Sequence, residues 1–120
     1  MTFDTLETRD PEARERDLMA RLPQLVRHAQ SAPGWARILD GVDASEITSR
    51  AALAALPITR KSDLKSLQQG AMPFGALTTT PLGQLARVFV SPGPIFDPEG
   101  RDPDWWRFAR PLYAAGVRTG

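Results

Sequence analysis

Leu18, Leu22, Leu25, Val26 and Ala29 recur at +4, +7, +8 and +11, the spacing of one helical face. Arg14, Arg16, Arg21 and Arg27 fall largely elsewhere, so the pattern predicts an amphipathic helix. Asp10-Pro11-Glu12 is its start. The Asp10 carboxylate can accept from free backbone N–H groups, and Pro11 fits a first turn where its missing N–H costs nothing. Pro23 lies inside the pattern. An interior proline costs about 3 kcal/mol, which predicts a kink or two helices meeting near Leu22. Ser31-Ala32-Pro33-Gly34 ends the run, and a short helix over Trp35–Leu39 follows, closed by Asp40-Gly41. Ser49 is placed to cap a short helix carrying Ala52, Leu53 and Leu56, with Pro57 as its stop. Thr59 is placed to cap another, from Arg60 to Gln69, with Leu64 and Leu67 inward and Gly70 as the stop.

The chain changes character after this helical stretch of residues 1–70. Residues 71–100 are rich in Pro, Gly and Thr and read as loop and strand. Arg87-Val88-Phe89-Val90-Ser91 is β-branched and aromatic and predicts a strand, and Ser91-Pro92-Gly93-Pro94 a turn or loop after it. Asp102-Pro103 predicts another capped start, for a helix over residues 102–116. Trp105, Phe108, Ala109, Leu112 and Tyr113 would share its inner face, Pro111 would kink it and Gly116 would end it. Trp105 and Trp106 would then point about 100° apart, one into the core and one toward an interface or ligand pocket.

Composition excludes several classes. The 120 residues contain no Cys, so there is no disulfide scaffold, thiolate metal site or Cys nucleophile. A single His rules out a multi-His metal cluster. The net charge of +1 gives no nucleic-acid footprint, which needs a clustered basic excess. The apolar stretches Ala51–Ile58 and Leu85–Val90 are too short to span a bilayer, so no membrane partner is expected. The N-terminus has no basic or apolar signal region, and the expectation is a cytoplasmic protein.

Little of the remainder resembles chemistry. His28 stands at the edge of the first apolar face and reads as a packed or surface imidazole. The charge cluster Glu7–Asp17 reads as a solvated helix face with i,i+4 pairs. Only the strand and loop Arg87–Gly100 have a chemical shape, because a Ser/Gly turn after a strand can present N–H groups to phosphate oxygens. That loop lacks G-x-x-x-x-G-K-[ST], two prolines remove donors, and Asp97 and Glu99 add negative charge.

The order of small motifs resembles the N-terminal region of phenylacetate-CoA ligases, a family of adenylate-forming acyl-CoA synthetases. Glu7-Thr8-Arg9 is similar to the family's opening Glu-Thr. Leu25-Val26-Arg27-His28-Ala29, followed by Ala32-Pro33, resembles its helix ending in Arg-His-Ala. Leu56-Pro57-Ile58-Thr59-Arg60-Lys61-Ser62-Asp63-Leu64 is similar to its Leu-Pro-x-Thr-x-Lys-x-Asp-Leu signature, and Pro73-Phe74-Gly75 to the Pro-Phe-Gly that comes next. Ala86-Arg87-Val88 resembles the strand entering the phosphate loop. Ala114-Ala115-Gly116-Val117-Arg118-Thr119-Gly120 resembles the Ala-Ala-Gly-x-Arg-Pro-Gly before the next strand.

The resemblance implies an α/β fold: a mainly helical N-terminal fragment of an adenylate-forming ligase N-domain, with one or two strands, truncated at residue 120. It implies a parent enzyme that joins an aromatic carboxylic acid to CoA through an acyl-adenylate, using ATP and Mg²⁺. The fragment alone is expected to be inactive, and its strand edge to favour a homodimer. Ser91 and Gly93 are the positions carried over as phosphate-loop, cofactor-binding residues. Pro98 also matches the family loop Ser-Ser-Gly-Thr-Thr-Gly-Lys-Pro, which is otherwise altered here to Ser91-Pro92-Gly93-Pro94-Ile95-Phe96-Asp97-Pro98. Asp97 in the place of Lys reverses the charge beside a polyphosphate, so the loop is expected to hold ATP poorly. Two other classes stay open. One is a non-catalytic relative with a degenerate loop, acting in binding or regulation. The other is a small stand-alone helical module binding a protein through Trp35, Trp105 or Trp106.

Overall fold

The computed structural model describes residues 2–118, which form five α-helices and one two-stranded antiparallel sheet. The expected fold class holds: a mainly helical α/β chain. Thr119 and Gly120, the end of the last family-like motif, lie outside the described residues.

Helix α1 spans Pro11–Gln30. Asp10 Oδ1 accepts from the Ala13 N–H at 2.8 Å, so the cap works as the sequence suggests. The helix runs unbroken through Pro23, which corrects the expected break near Leu22. Leu22 and Val26, on either side of the proline, are both buried, and this packing offsets the lost backbone bond. The buried stripe is rotated from the expected one. Met19 and Ala29 pack beside Leu22 and Val26, while Leu18 and Leu25 face outward.

Helix α2 covers Pro33–Ile38, and Leu39, Ala44 and Ile47 after it close a core with Leu22 and Val26. Gln30 ties the two segments by donating to the Val42 carbonyl at 2.9 Å. Helix α3, Arg50–Ala54, is capped by Ser49, whose hydroxyl accepts from the Ala52 N–H. Helix α4 spans Lys61–Gly70. Thr59 does not cap it: Arg60 is the extended residue before the first turn, so the threonine sits one position too early.

Strand β1, Arg87–Ser91, pairs antiparallel with β2, Ile95–Glu99, in the register Arg87↔Glu99 and Ser91↔Ile95. A three-residue connection, Pro92 to Pro94, joins them. The expected strand thus has a partner within the chain, from a stretch read as loop. The predicted helix over residues 102–116 is corrected to a short α5, Ala109–Ala114. Asp104 and Arg107 adopt positive φ, +53° and +56°, which no helix accommodates. Asp104 Oδ1 instead accepts from the Phe108 and Ala109 N–H groups and starts α5 there. Pro111 then falls in the first turn, where it removes no helical bond, so it introduces no kink. Trp105 and Trp106 therefore lie in a turn rather than on a helix, and neither is buried.

The chain carries much uncovered apolar surface: Leu25, Ile58, Val90 and Phe108 are all more than half exposed. Its radius of gyration is 16.9 Å, above the roughly 14 Å expected for a compact chain of this length. No helix among the described residues is long and apolar enough to cross a membrane.

Charge pairs stitch the surface. Arg110 Nη2 meets Asp4 Oδ2 at 2.6 Å, and the Phe3 ring packs edge-on to Tyr113, so residues 3–8 lie against α5. Hydrogen bonds from Arg110 to Asp4, from Arg50 to Glu15, from Arg9 and Arg21 to Asp17, and from Ser45 to Asp43 hold these carboxyls below their ordinary values. A depressed folded value stabilises the fold above the unfolded value, near pH 4. The contribution is lost as pH falls through the folded values. The urea midpoint is therefore expected to stay level from pH 7 to about 5 and fall below pH 4. A midpoint unchanged down to pH 3 would count against these pairs.

Candidate functional site

One face of the hairpin carries Phe89 and Ser91 from β1 and their cross-strand partners Asp97 and Ile95 from β2, because alternate residues point the same way. This face floors an open groove of about 670 Å³. Thr59, Lys61 and Leu64 form one wall, and Trp106 stands at another. Helix α4 is held there by Gln68, a buried polar side chain. Its amide donates to the Phe96 carbonyl and accepts from the Phe96 N–H, both at 2.9 Å, and so acts as a one-residue strand on the free edge of β2.

The two expected site residues separate. Ser91 lines the groove, half-buried, with its hydroxyl donating to the Ile95 carbonyl at 3.4 Å. Gly93 is exposed at the hairpin tip, outside the lining, where a Cβ would meet Ile95 Cγ1 at 2.9 Å. The connection is too short and too poor in donors to wrap a phosphate. Of its three residues only Gly93 has an N–H. His28 is a surface imidazole, with Nε2 2.9 Å from Thr79 Oγ1, and is not part of the groove.

Lys61 and Thr59 join the site although sequence reasoning assigned them no role. Their signal was the Thr-x-Lys of the family-like signature, and thirty residues of sequence separate Lys61 from Ser91. Among the described residues neither Lys61 nor Asp97 takes part in an ion pair. The groove thus offers one ammonium, two hydroxyls and one carboxylate on an apolar, partly aromatic surface. Such a set suits an anion bound by a point charge and hydroxyls rather than by a ring of backbone donors. No group of three or more His, Asp or Glu among the described residues is placed to hold a metal ion.

No protein-family model and no curated protein sequence matches the chain. Solved structures do. A 2-hydroxyisobutyryl-CoA ligase in the postadenylation state, in complex with R3-HIB-AMP, matches 94% of the chain at 27% identity with a TM-score of 0.82. The same ligase with 2-HIB-AMP and CoA in the thioesterification state matches 94% at 26% identity and 0.79. The chain spans about a quarter of the ligase's length, 25% and 26% in the two cases. A likeness this complete in fold and order, to an acid–CoA ligase caught with its acyl-adenylate, supports the adenylate-forming ligase superfamily for this chain, without singling out phenylacetate-CoA ligases within it.

Proposed function

We propose that this chain is the N-terminal part of an acid–CoA ligase and that its hairpin groove receives the phosphates of ATP. The observation that carries the reading is the meeting of Lys61 and Thr59 with Ser91 in one groove, on a fold shared with 2-hydroxyisobutyryl-CoA ligase. In the reaction, a substrate carboxylate oxygen attacks the α-phosphorus of ATP. The bond to the β-phosphate breaks and pyrophosphate leaves; a CoA thiolate then takes the acyl group and AMP departs. The Lys61 ammonium counters charge on the departing phosphates, and the Thr59 hydroxyl donates to their oxygens, as does the Ser91 hydroxyl on turning from its weak 3.4 Å bond to the Ile95 carbonyl. In this way Lys61 makes up for the lysine that the loop lacks. Magnesium suits the groove as a companion of the phosphates. It keeps most of its ligands from water and phosphate and needs few carboxylates, and Asp97 is the single carboxylate in the lining.

The extensive uncovered apolar surface supports a chain that packs against further polypeptide in the parent. Phenylacetate-like aromatic acids and small hydroxy acids of the 2-hydroxyisobutyrate type are both candidate substrates. The altered stretch Pro94–Asp97 is the feature that suggests a non-catalytic relative, and the likeness to acid–CoA ligases does not favour that alternative.

The test is ATP–pyrophosphate exchange by the full-length protein with a panel holding phenylacetate, benzoate and 2-hydroxyisobutyrate. Exchange with at least one acid is expected. Lys61→Ala should raise the KM for Mg·ATP about tenfold, the scale of one lost charged hydrogen bond. Folded protein that exchanges with no acid in the panel sinks the ligase reading and leaves the non-catalytic relative.

A further inference from the structure

We infer that Trp106 is the shielding wall of the groove and that Glu99 is the residue that positions it; this rests on the nucleotide reading above. The segment after β2 is fastened at three points. First, buried Gly100 lies under Trp105: a Cβ there would come within 2.3 Å of Trp105 Cζ3, so only glycine admits the ring. Second, Trp106 Nε1 donates to Glu99 Oε2 at 2.9 Å. The Glu99 side chain is only 13% exposed, and its other oxygen accepts from Arg87 Nη1 at 2.7 Å. Third, Asp104 Oδ1 takes the Phe108 and Ala109 N–H groups at 2.7 and 2.9 Å, closing the turn behind the indole.

Between these fastenings the Trp106 ring stands edge-on to Phe89, with centroids 6.2 Å apart. Its one polar atom is already satisfied by Glu99, so the ring offers the groove an apolar surface. Trp106 and Lys61 line the same groove, so with a phosphate bound between them the ring covers one side of the contact from water. A charge pair in a drier setting is stronger, because its energy scales inversely with the effective dielectric. Trp106 thereby strengthens the contact between Lys61 and a bound phosphate without touching the reacting atoms. Glu99 acts only through Trp106 and is a positioning residue.

The test is Mg·ATP binding to the full-length protein by calorimetry, together with the indole fluorescence change on adding Mg·ATP. Trp106→Ala is expected to raise Kd about tenfold, and Trp106→Phe, which keeps an apolar wall, less than about threefold. Glu99→Leu should follow Trp106→Ala. Glu99→Gln still accepts from the indole N–H and should stay near wild type, which a merely structural role of the Arg87 pair does not predict. Trp106→Phe should remove more of the fluorescence change than Trp35→Phe or Trp105→Phe. Unchanged Kd in Trp106→Ala, or a fluorescence change that Trp106→Phe leaves unaltered, overturns the inference while leaving the nucleotide reading standing. Folded wild type that binds no Mg·ATP overturns both.

Discussion

Gly34→Ala is expected to destabilise the chain by about 3 kcal/mol, at the upper end of what an overpacked contact usually costs. A Cβ at this position would stand 2.6 Å from the Gly75 carbonyl oxygen and 2.7 Å from that of Ala76. Both are backbone atoms and cannot swing aside. The Gly34 N–H also donates to the Ala76 carbonyl at 2.8 Å, so any shift that relieves the clash lengthens this bond. Gly75 has φ +67°, and its own Cβ position lies 3.1 Å from Leu67 Cβ. Two glycines therefore let the turn after α4 pass directly over α2, with Phe74 buried beside them at 4% exposure. Urea unfolding followed by far-UV circular dichroism checks this, with Gly70→Ala as the control. Nothing lies within 4 Å of a Cβ at Gly70, and its φ is unstrained, so that variant should be neutral or slightly stabilising. A Gly34→Ala midpoint equal to wild type would falsify the close-approach account.

The same contact shows how far the sequence could be read. Pro73-Phe74-Gly75 was visible as a motif, but not its partner, because Gly34 lies 41 residues before Gly75 in a segment that read only as a helix stop. Apart from Thr59, one position too early to cap α4, local signals were dependable where the deciding interaction was local. Asp10 and Ser49 cap the helices they precede, and Arg87–Ser91 is a strand. They failed where distant packing or backbone sign decided. Pro23 is tolerated because its neighbours are buried, and residues 102–107 avoid helix because Asp104 and Arg107 take positive φ. Strand β2 was hidden because Asp97, Pro98 and Glu99 are poor strand formers; pairing with β1 and the Gln68 bonds override their propensity. Of the groove, Ser91 was legible from the strand-and-loop pattern. Lys61 was legible only as part of a resemblance, since nothing local tells which helix will lie along a hairpin edge.

Gln68→Leu should be about as damaging as Gly34→Ala, and for a different reason. The side chain fits a buried position, at 5% exposure, where an apolar residue of similar size would pack. The loss is polar. Both backbone groups of Phe96 bond to this one amide at 2.9 Å, and leucine would strand an N–H and a carbonyl together. Stranding two such groups costs about 3 kcal/mol, about 1.5 for each, in the lower half of the usual range because β2 lies near the surface. Gln68→Glu separates the two bonds. Its carboxylate still accepts from the Phe96 N–H but repels the Phe96 carbonyl, so its urea midpoint should fall between wild type and leucine. The consequence reaches the groove, because the Gln68 bond sets where α4, and with it Lys61, stands beside Ser91 and Asp97. A leucine variant that stays folded at low temperature should therefore bind Mg·ATP more weakly although residue 68 does not line the groove. Leucine and glutamate variants with equal midpoints would show that the paired amide is not what joins the helix to the hairpin.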